Sequence, residues 1–143
     1  MSDLAAAKAH LNGHSICLCK SGEWFTDDGR GISPMMRFLG ENRDLRGYAV
    51  ADVIVGKAAA MLFVKAGIAA VYGEVMSKAA KAYLEARRIP CEAKTLTEFI
   101  INRKGDGFCP MEQTVAAIDD PDEAYSALKE KIKQMTTPAQ DIS

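Results

Sequence analysis

This chain has no excess of basic charge. Its 143 residues carry 18 Lys and Arg against 19 Asp and Glu, a net charge of -1. With no positive surplus to hold a phosphate backbone, nucleic acid is excluded as the main partner. No apolar run reaches the roughly 20 residues a helix needs to cross a bilayer, so no membrane partner is expected. The first 13 residues contain no apolar core of a secretory signal, and the expected location is the cytoplasm. The four cysteines, Cys17, Cys19, Cys91 and Cys109, lack the spacing of a disulfide framework and are expected as reduced thiols. The two histidines, His10 and His14, bracket a turn, and no triad partner can be placed for either. No metal and no cofactor is expected. What is present is ordinary for a globular protein: 48% hydrophobic and 26% charged residues. The length suits one domain with a real core. A single α/β domain is expected over residues 1–135, with a disordered tail at 136–143.

The most informative stretch runs from Asp52 to Gly67. Read as one helix, it has Asp52 as N-cap, Lys65 near the negative end of the dipole and Gly67 as a left-handed stop. Almost every position between is apolar, which predicts a helix buried between layers. Gly56 and Lys57 interrupt it. A glycine inside a helix costs roughly 1 kcal/mol against Ala, which suggests close approach of another group. A lysine in a buried turn must snorkel, pair or meet an anion.

Around that stretch the pattern alternates. Residues 2–11 read as a helix capped by Ser2 or Asp3, with Leu4, Ala7 and Leu11 facing inward. Residues 14–20 and 23–26 read as a hairpin about Ser21-Gly22. Its first strand is apolar on both faces, with Cys17 and Cys19 on one and Ile16 and Leu18 on the other. Ser33-Pro34 opens a short helix, and residues 45–50 read as a short extended piece. Residues 68–75 read as a buried strand. Ser77 caps a helix to Arg87 with Ala79, Ala82, Tyr83 and Ala86 on its inner face, and residues 91–96 form another strand. Residues 98–103 suggest a short helix or turn. A further short helix starts at Pro110, and a last one runs from Pro121 to Met135 with a Leu128, Ile132, Met135 stripe. Helix–strand alternation implies right-handed crossovers and a parallel pair. Added to the hairpin, this gives a three-layer α/β/α domain with a mixed sheet of four to five strands.

Two places carry potential chemistry. Gly56-Lys57 resembles the end of a phosphate-binding loop, but Ala51 and Ala58 stand where that motif needs a glycine and a hydroxyl. A helix N-terminus there could still bind an anion. The second place is Cys109-Pro110-Met111-Glu112. Pro110 at the first helical position makes Cys109 the cap residue, where a thiol can become more reactive. Arg103 and Lys104 could add to that effect, and Glu112 could return to the Cys109 N–H as a capping box.

Asp52-x3-Gly56-Lys57-Ala58-Ala59-Ala60, Gly67 to Tyr72, and Asn102-Arg103-x-Gly105-x-Gly107-x-Cys109-Pro110-Met111-Glu112 together resemble the prokaryotic domain-of-unknown-function 1893 family. The resemblance covers about residues 45–114. It implies a fold similar to cytidine deaminases and no established activity. A zinc deaminase needs a His- or Cys-x-Glu on one helix and Pro-Cys-x2-Cys on the next. Here the Asp52–Gly67 stretch has no His, Cys or Glu, Met76-Ser77-Lys78-Ala79 replaces the cysteine pair, and Pro90-Cys91 lacks a second Cys.

The expected function is therefore small-molecule binding, of a nucleotide-like ligand or by a zinc-independent enzyme. Asp52 would orient or accept a proton, Lys57 would hold an anionic group and Cys109 would act as nucleophile. Gly56, Asn102, Arg103 and Glu112 would line the ligand site. The competing expectation is a regulatory or interaction module acting through a homo-oligomer.

Overall fold

The structure, a computed structural model, describes residues 2–101, 107 and 109–136. Of the tail expected at 136–143, Thr136 is the last residue of the final helix, and residues 137–143, like the candidate residues Asn102 and Arg103, lie outside the described residues. The elements in order are α1 (Asp3–Leu11), β1 (Ile16–Lys20), β2 (Glu23–Asp27), α2 (Ser33–Gly40), β3 (Ala49–Val55), α3 (Lys57–Ala66), β4 (Ala70–Ser77), α4 (Lys78–Ala86), β5 (Cys91–Thr97), α5 (Pro110–Val115) and α6 (Pro121–Thr136).

A five-stranded mixed sheet in the order β2-β1-β3-β4-β5 forms the middle layer. β1 is antiparallel to both β2 and β3, while β3, β4 and β5 run parallel. The hairpin turn is as expected: Ser21 and Gly22 both have positive φ, 52° and 85°, the twist that suits a two-residue hairpin. β1 is covered on both faces. Ile16 and Leu18 join the main core with α3, while Cys17 and Cys19 join a smaller core under α1, with Ala7, Leu11, Ala51 and Tyr72. Burial pushes the Cys17 thiol up to about 11, so this pair is core, as its sequence suggested.

The stretch from Asp52 to Gly67 is the main correction. It is not one helix. Its first part belongs to β3, and only Lys57–Ala66 is helical, with Gly56 as N-cap. Val50, Val53, Ile54 and Val55 are β-branched and favour the strand, and Gly56 makes the corner. The helix does end as expected, with Gly67 at φ 79° and its N–H on the Phe63 and Val64 carbonyls. Because β3 is a strand, the parallel set has three members where a pair was expected.

Smaller differences have local causes. Ser33 is the first residue of α2, and Ile32 caps it without a side-chain bond. α4 buries Ala80, Tyr83 and Leu84 and exposes Ala79, Ala82 and Ala86. That face is one residue on from the expected alanine stripe, because the larger Tyr83 and Leu84 bury more apolar area. On α6, Ala124 and Leu128 are buried, but Met135 at the far end is 50% exposed. Ser2 and Ser77 cap their helices as expected, accepting from the Ala5 and Ala80 N–H groups at 3.1 Å each. His10 stacks on Trp24 of β2, and His14 pairs with Asp28.

Candidate functional site

The site begins at Gly56. Its backbone is extended, φ -96° and ψ -179°, so any residue could adopt it. What demands glycine is space. A Cβ there would lie 2.5 to 2.6 Å from the Glu112 carboxylate atoms. That carboxylate spans the start of α3: one oxygen accepts the Lys57 N–H at 2.7 Å and the other the Ala58 N–H at 2.9 Å. Two of the four free N–H groups of the helix are thus satisfied by a negative charge at the positive end of its dipole. Glu112 does not form the expected capping box. The Cys109 N–H instead donates to the Ile100 carbonyl at 3.1 Å, which leaves Glu112 to reach across to α3.

Lys57, the awkward cation of the apolar stretch, is resolved the same way. Its side chain leaves the core and its ammonium donates to the Ala116 carbonyl at 3.2 Å. Among the described residues this is its one hydrogen-bond partner, and an ammonium has three N–H donors. Beside it, Ser77 ends β4 and is buried, its hydroxyl held by the start of α4. The residues after β5 close the far side.

These groups surround a depression of about 350 Å³ at the carboxyl ends of β3 and β4. Lys57, Ser77, Glu112 and Gln113 form its polar part. Phe99, Ile100, Ala79 and Ala116 form its apolar part, and Glu98 stands at the rim. Glu98 is held by an ion pair with Lys78. Phe99 is 59% exposed, an unusual placement for a large ring. In open α/β sheets ligands bind outside the carboxyl ends of the strands, where this depression lies.

The structure therefore gathers some of the candidates and separates others. Gly56, Lys57 and Glu112 meet at one point. Cys109 is half-buried and caps α5 three residues before Glu112, so it lies within about one helical turn of that carboxylate. It is not among the residues lining the depression. Asp52 is elsewhere. It sits on β3 opposite Ile16 and Gly73, about 13 Å of strand before Gly56, and is 7% exposed. Burial pushes its carboxyl up to about 8, with the Ile54 and Val53 N–H groups working the other way. Its Oδ1 accepts the Ile54 N–H at 3.3 Å, next to the point where β1 starts and β3 loses that neighbour. Among the described residues, no group of three or more His, Cys, Asp or Glu side chains could hold a metal ion.

Ser77, Phe99, Ile100 and Ala116 were not candidates in the sequence. Ser77 read only as a cap, and nothing local marks an apolar residue as the wall of a site. The link between Gly56 and Glu112, 56 positions apart, had one trace: a glycine where a helix would avoid it.

The fold and this depression define a class: a three-layer α/β protein with a mixed five-stranded sheet and a concave site at the carboxyl edge of its parallel strands. The chain belongs to the family described as a domain of unknown function, DUF1893, whose model matches residues 5–132. Its fold is similar to the crystal structure of a DUF1893 family protein from Thermotoga maritima, with a TM-score of 0.81 at 23% identity, covering 92% of this chain and 91% of that one. No curated protein matches the chain.

Proposed function

We propose that this protein binds a small molecule in the depression between α3, α5 and the segment after β5. The observation that carries the reading is the composition of that depression: an ammonium at one side, with one hydrogen-bond partner among the described residues, and an exposed aromatic ring at the other. This pairing suits a planar ligand with an anionic or acceptor group, of which nucleotide-like metabolites are one class. The Phe99 ring supplies the stacking face, and Lys57 supplies the charge. Glu112 is a positioning residue here. Both its oxygens are taken by α3, so it fixes α5 against the helix and leaves ligand contact to its neighbours.

The reading of the scaffold as deaminase-like rests on the sequence resemblance and on one feature of the sheet. α3 and α4 start side by side from parallel strands, at the edge where the depression lies. Two successive helix starts are where a zinc deaminase carries its ligands and its proton shuttle. The residues present do not fit zinc. α3 opens with Lys57-Ala58-Ala59-Ala60 and α4 with Lys78-Ala79-Ala80, preceded by Ser77. The acid that reaches this point, Glu112, comes from α5 and is consumed by the helix cap. Any chemistry here would be zinc-independent.

A thermal-shift screen of nucleosides, nucleotides and metabolite acids tests the proposal, with a turnover assay on each compound that stabilises the protein. A saturable stabilisation that disappears in Lys57→Ala supports it. A screen in which no compound stabilises wild type more than Lys57→Ala counts against it.

A further inference from the structure

β5 is an edge strand. Its inner side pairs with β4 over Val71↔Cys91 to Ser77↔Thr97, and among the described residues no strand pairs with its outer side. An open edge presents a row of backbone donors and acceptors to any strand that can reach it. Most of β5 is exposed, including Leu96 at 43%. Its charges are Glu92 and Lys94, two residues apart and so on one face of the strand. Lys8 of α1 already pairs with Glu92.

We propose that this edge pairs with β5 of a second copy, antiparallel, with a two-fold axis passing at Ala93. The axis is perpendicular to the sheet, so residues facing each other must share a face, and only registers centred on a residue are allowed. A register centred on Glu92 sets Glu92 against Glu92, and one centred on Lys94 sets Lys94 against Lys94. Like charges directly opposite are destabilising. The register centred on Ala93 sets Glu92 of each copy against Lys94 of the other, so each Glu92 carboxylate lies between Lys8 of its own chain and Lys94 of the second. Cys91 then faces Thr95, and Leu96 comes beside Pro90 of the second copy. Pro90 has no N–H to donate and ends the pairing. A lone edge lysine normally discourages such pairing; here the same register supplies its counter-charge. The product is a continuous ten-stranded sheet.

The test is a charge swap followed by sedimentation over about 1 to 300 µM, a range that resolves micromolar dimers. Wild type is expected to dimerise. Lys94→Glu alone sets two Glu–Glu pairs across the axis, and Glu92→Lys alone sets two Lys–Lys pairs. Each should raise the dissociation constant roughly tenfold or more, since two facing pairs change sign. Mixed in equal amounts, the two variants regain opposite charges at both pairs and should form a heterodimer near wild-type affinity. Thermal melts of each variant check that it is folded. Wild type that stays monomeric throughout overturns the proposal. So do two variants that each dimerise as well as wild type, or that show no preference for each other.

Discussion

Replacing Gly56 by Ala tests the contact on which the site is built. The backbone at this position is extended, so alanine brings no conformational strain. By restricting the unfolded chain it should stabilise by about 0.4–1 kcal/mol. Against that, its Cβ would lie 2.5 to 2.6 Å from all three Glu112 carboxylate atoms, well inside contact distance. The carboxylate must leave, and with it go the bonds to the Lys57 and Ala58 N–H groups. Charge-assisted hydrogen bonds contribute about 1.5–3 kcal/mol each when nothing replaces them. The site is half-exposed, so water recovers much of this, and loss of a helix cap typically costs about 1 kcal/mol. The net expectation is a loss of about 1–2 kcal/mol, or about 3–6 °C in Tm for a domain of this size. Glu112→Ala should lose a similar amount. In the Glu112→Ala background, Gly56→Ala meets no carboxylate and should become neutral or slightly stabilising, a coupling of about 1 kcal/mol or more in a double-mutant cycle. Chemical denaturation of the four proteins reads this directly. Equal destabilisation by Gly56→Ala in both backgrounds would refute the reasoning, as would no effect in either.

Three further outcomes are expected. The Asp52 carboxyl holds its proton to about pH 8 when folded but titrates near about 4 when unfolded. The folded state therefore binds more protons between those values, and this group's contribution to stability falls as pH rises through them, by an amount on the order of a few kcal/mol. Asp52→Asn should flatten that slope, and a stability profile unchanged by the substitution would place the titration elsewhere. In native protein, Cys17 and Cys19 should resist a thiol reagent until unfolding, because both are buried and burial raises both thiols; rapid modification of either would contradict the packing of β1 under α1. Cys109, half-buried as the cap of α5, should react with the same reagent in native protein faster than Cys17 and Cys19; equal protection of all three would contradict its placement.

Much of the fold was legible because the signals were local. Ser21-Gly22 between two apolar runs is a hairpin turn by its own backbone preferences. Ser2 and Ser77 cap the helices that follow them. Pro110 sets the start of α5, and Gly67 sets the end of α3. Asp52 was misread for a physical reason. An acid before an apolar run looks like a helix cap, but a strand buried on both faces and a buried helix are equally apolar. The β-branched residues between Val50 and Val55 carried the distinction, together with Gly56. The candidate site was legible in part. Gly56, Lys57 and Glu112 each stood out, one as an unfavourable glycine, one as a charge in an apolar run, one beside a helix start. Their meeting depends on α5 packing against α3, which no local pattern encodes. Lys57 and Cys109 read as partners across one site, yet the depression takes Lys57 and leaves Cys109 outside its lining. The wall made by Phe99 and Ile100 follows from where the chain goes after β5, again a matter of tertiary placement.

The proposed small molecule would lie between the Lys57 ammonium and the Phe99 ring. The most direct measurement is calorimetric titration of the compound that most stabilises wild type, against wild type, Lys57→Ala and Phe99→Ala. Phe99 is exposed and Lys57 half-buried, so a thermal melt of each variant checks that it is folded before its binding is compared. One saturable site per chain is expected, weakened roughly tenfold or more by each substitution, as loss of one charged or stacking contact implies. Binding that both substitutions leave unchanged would contradict it.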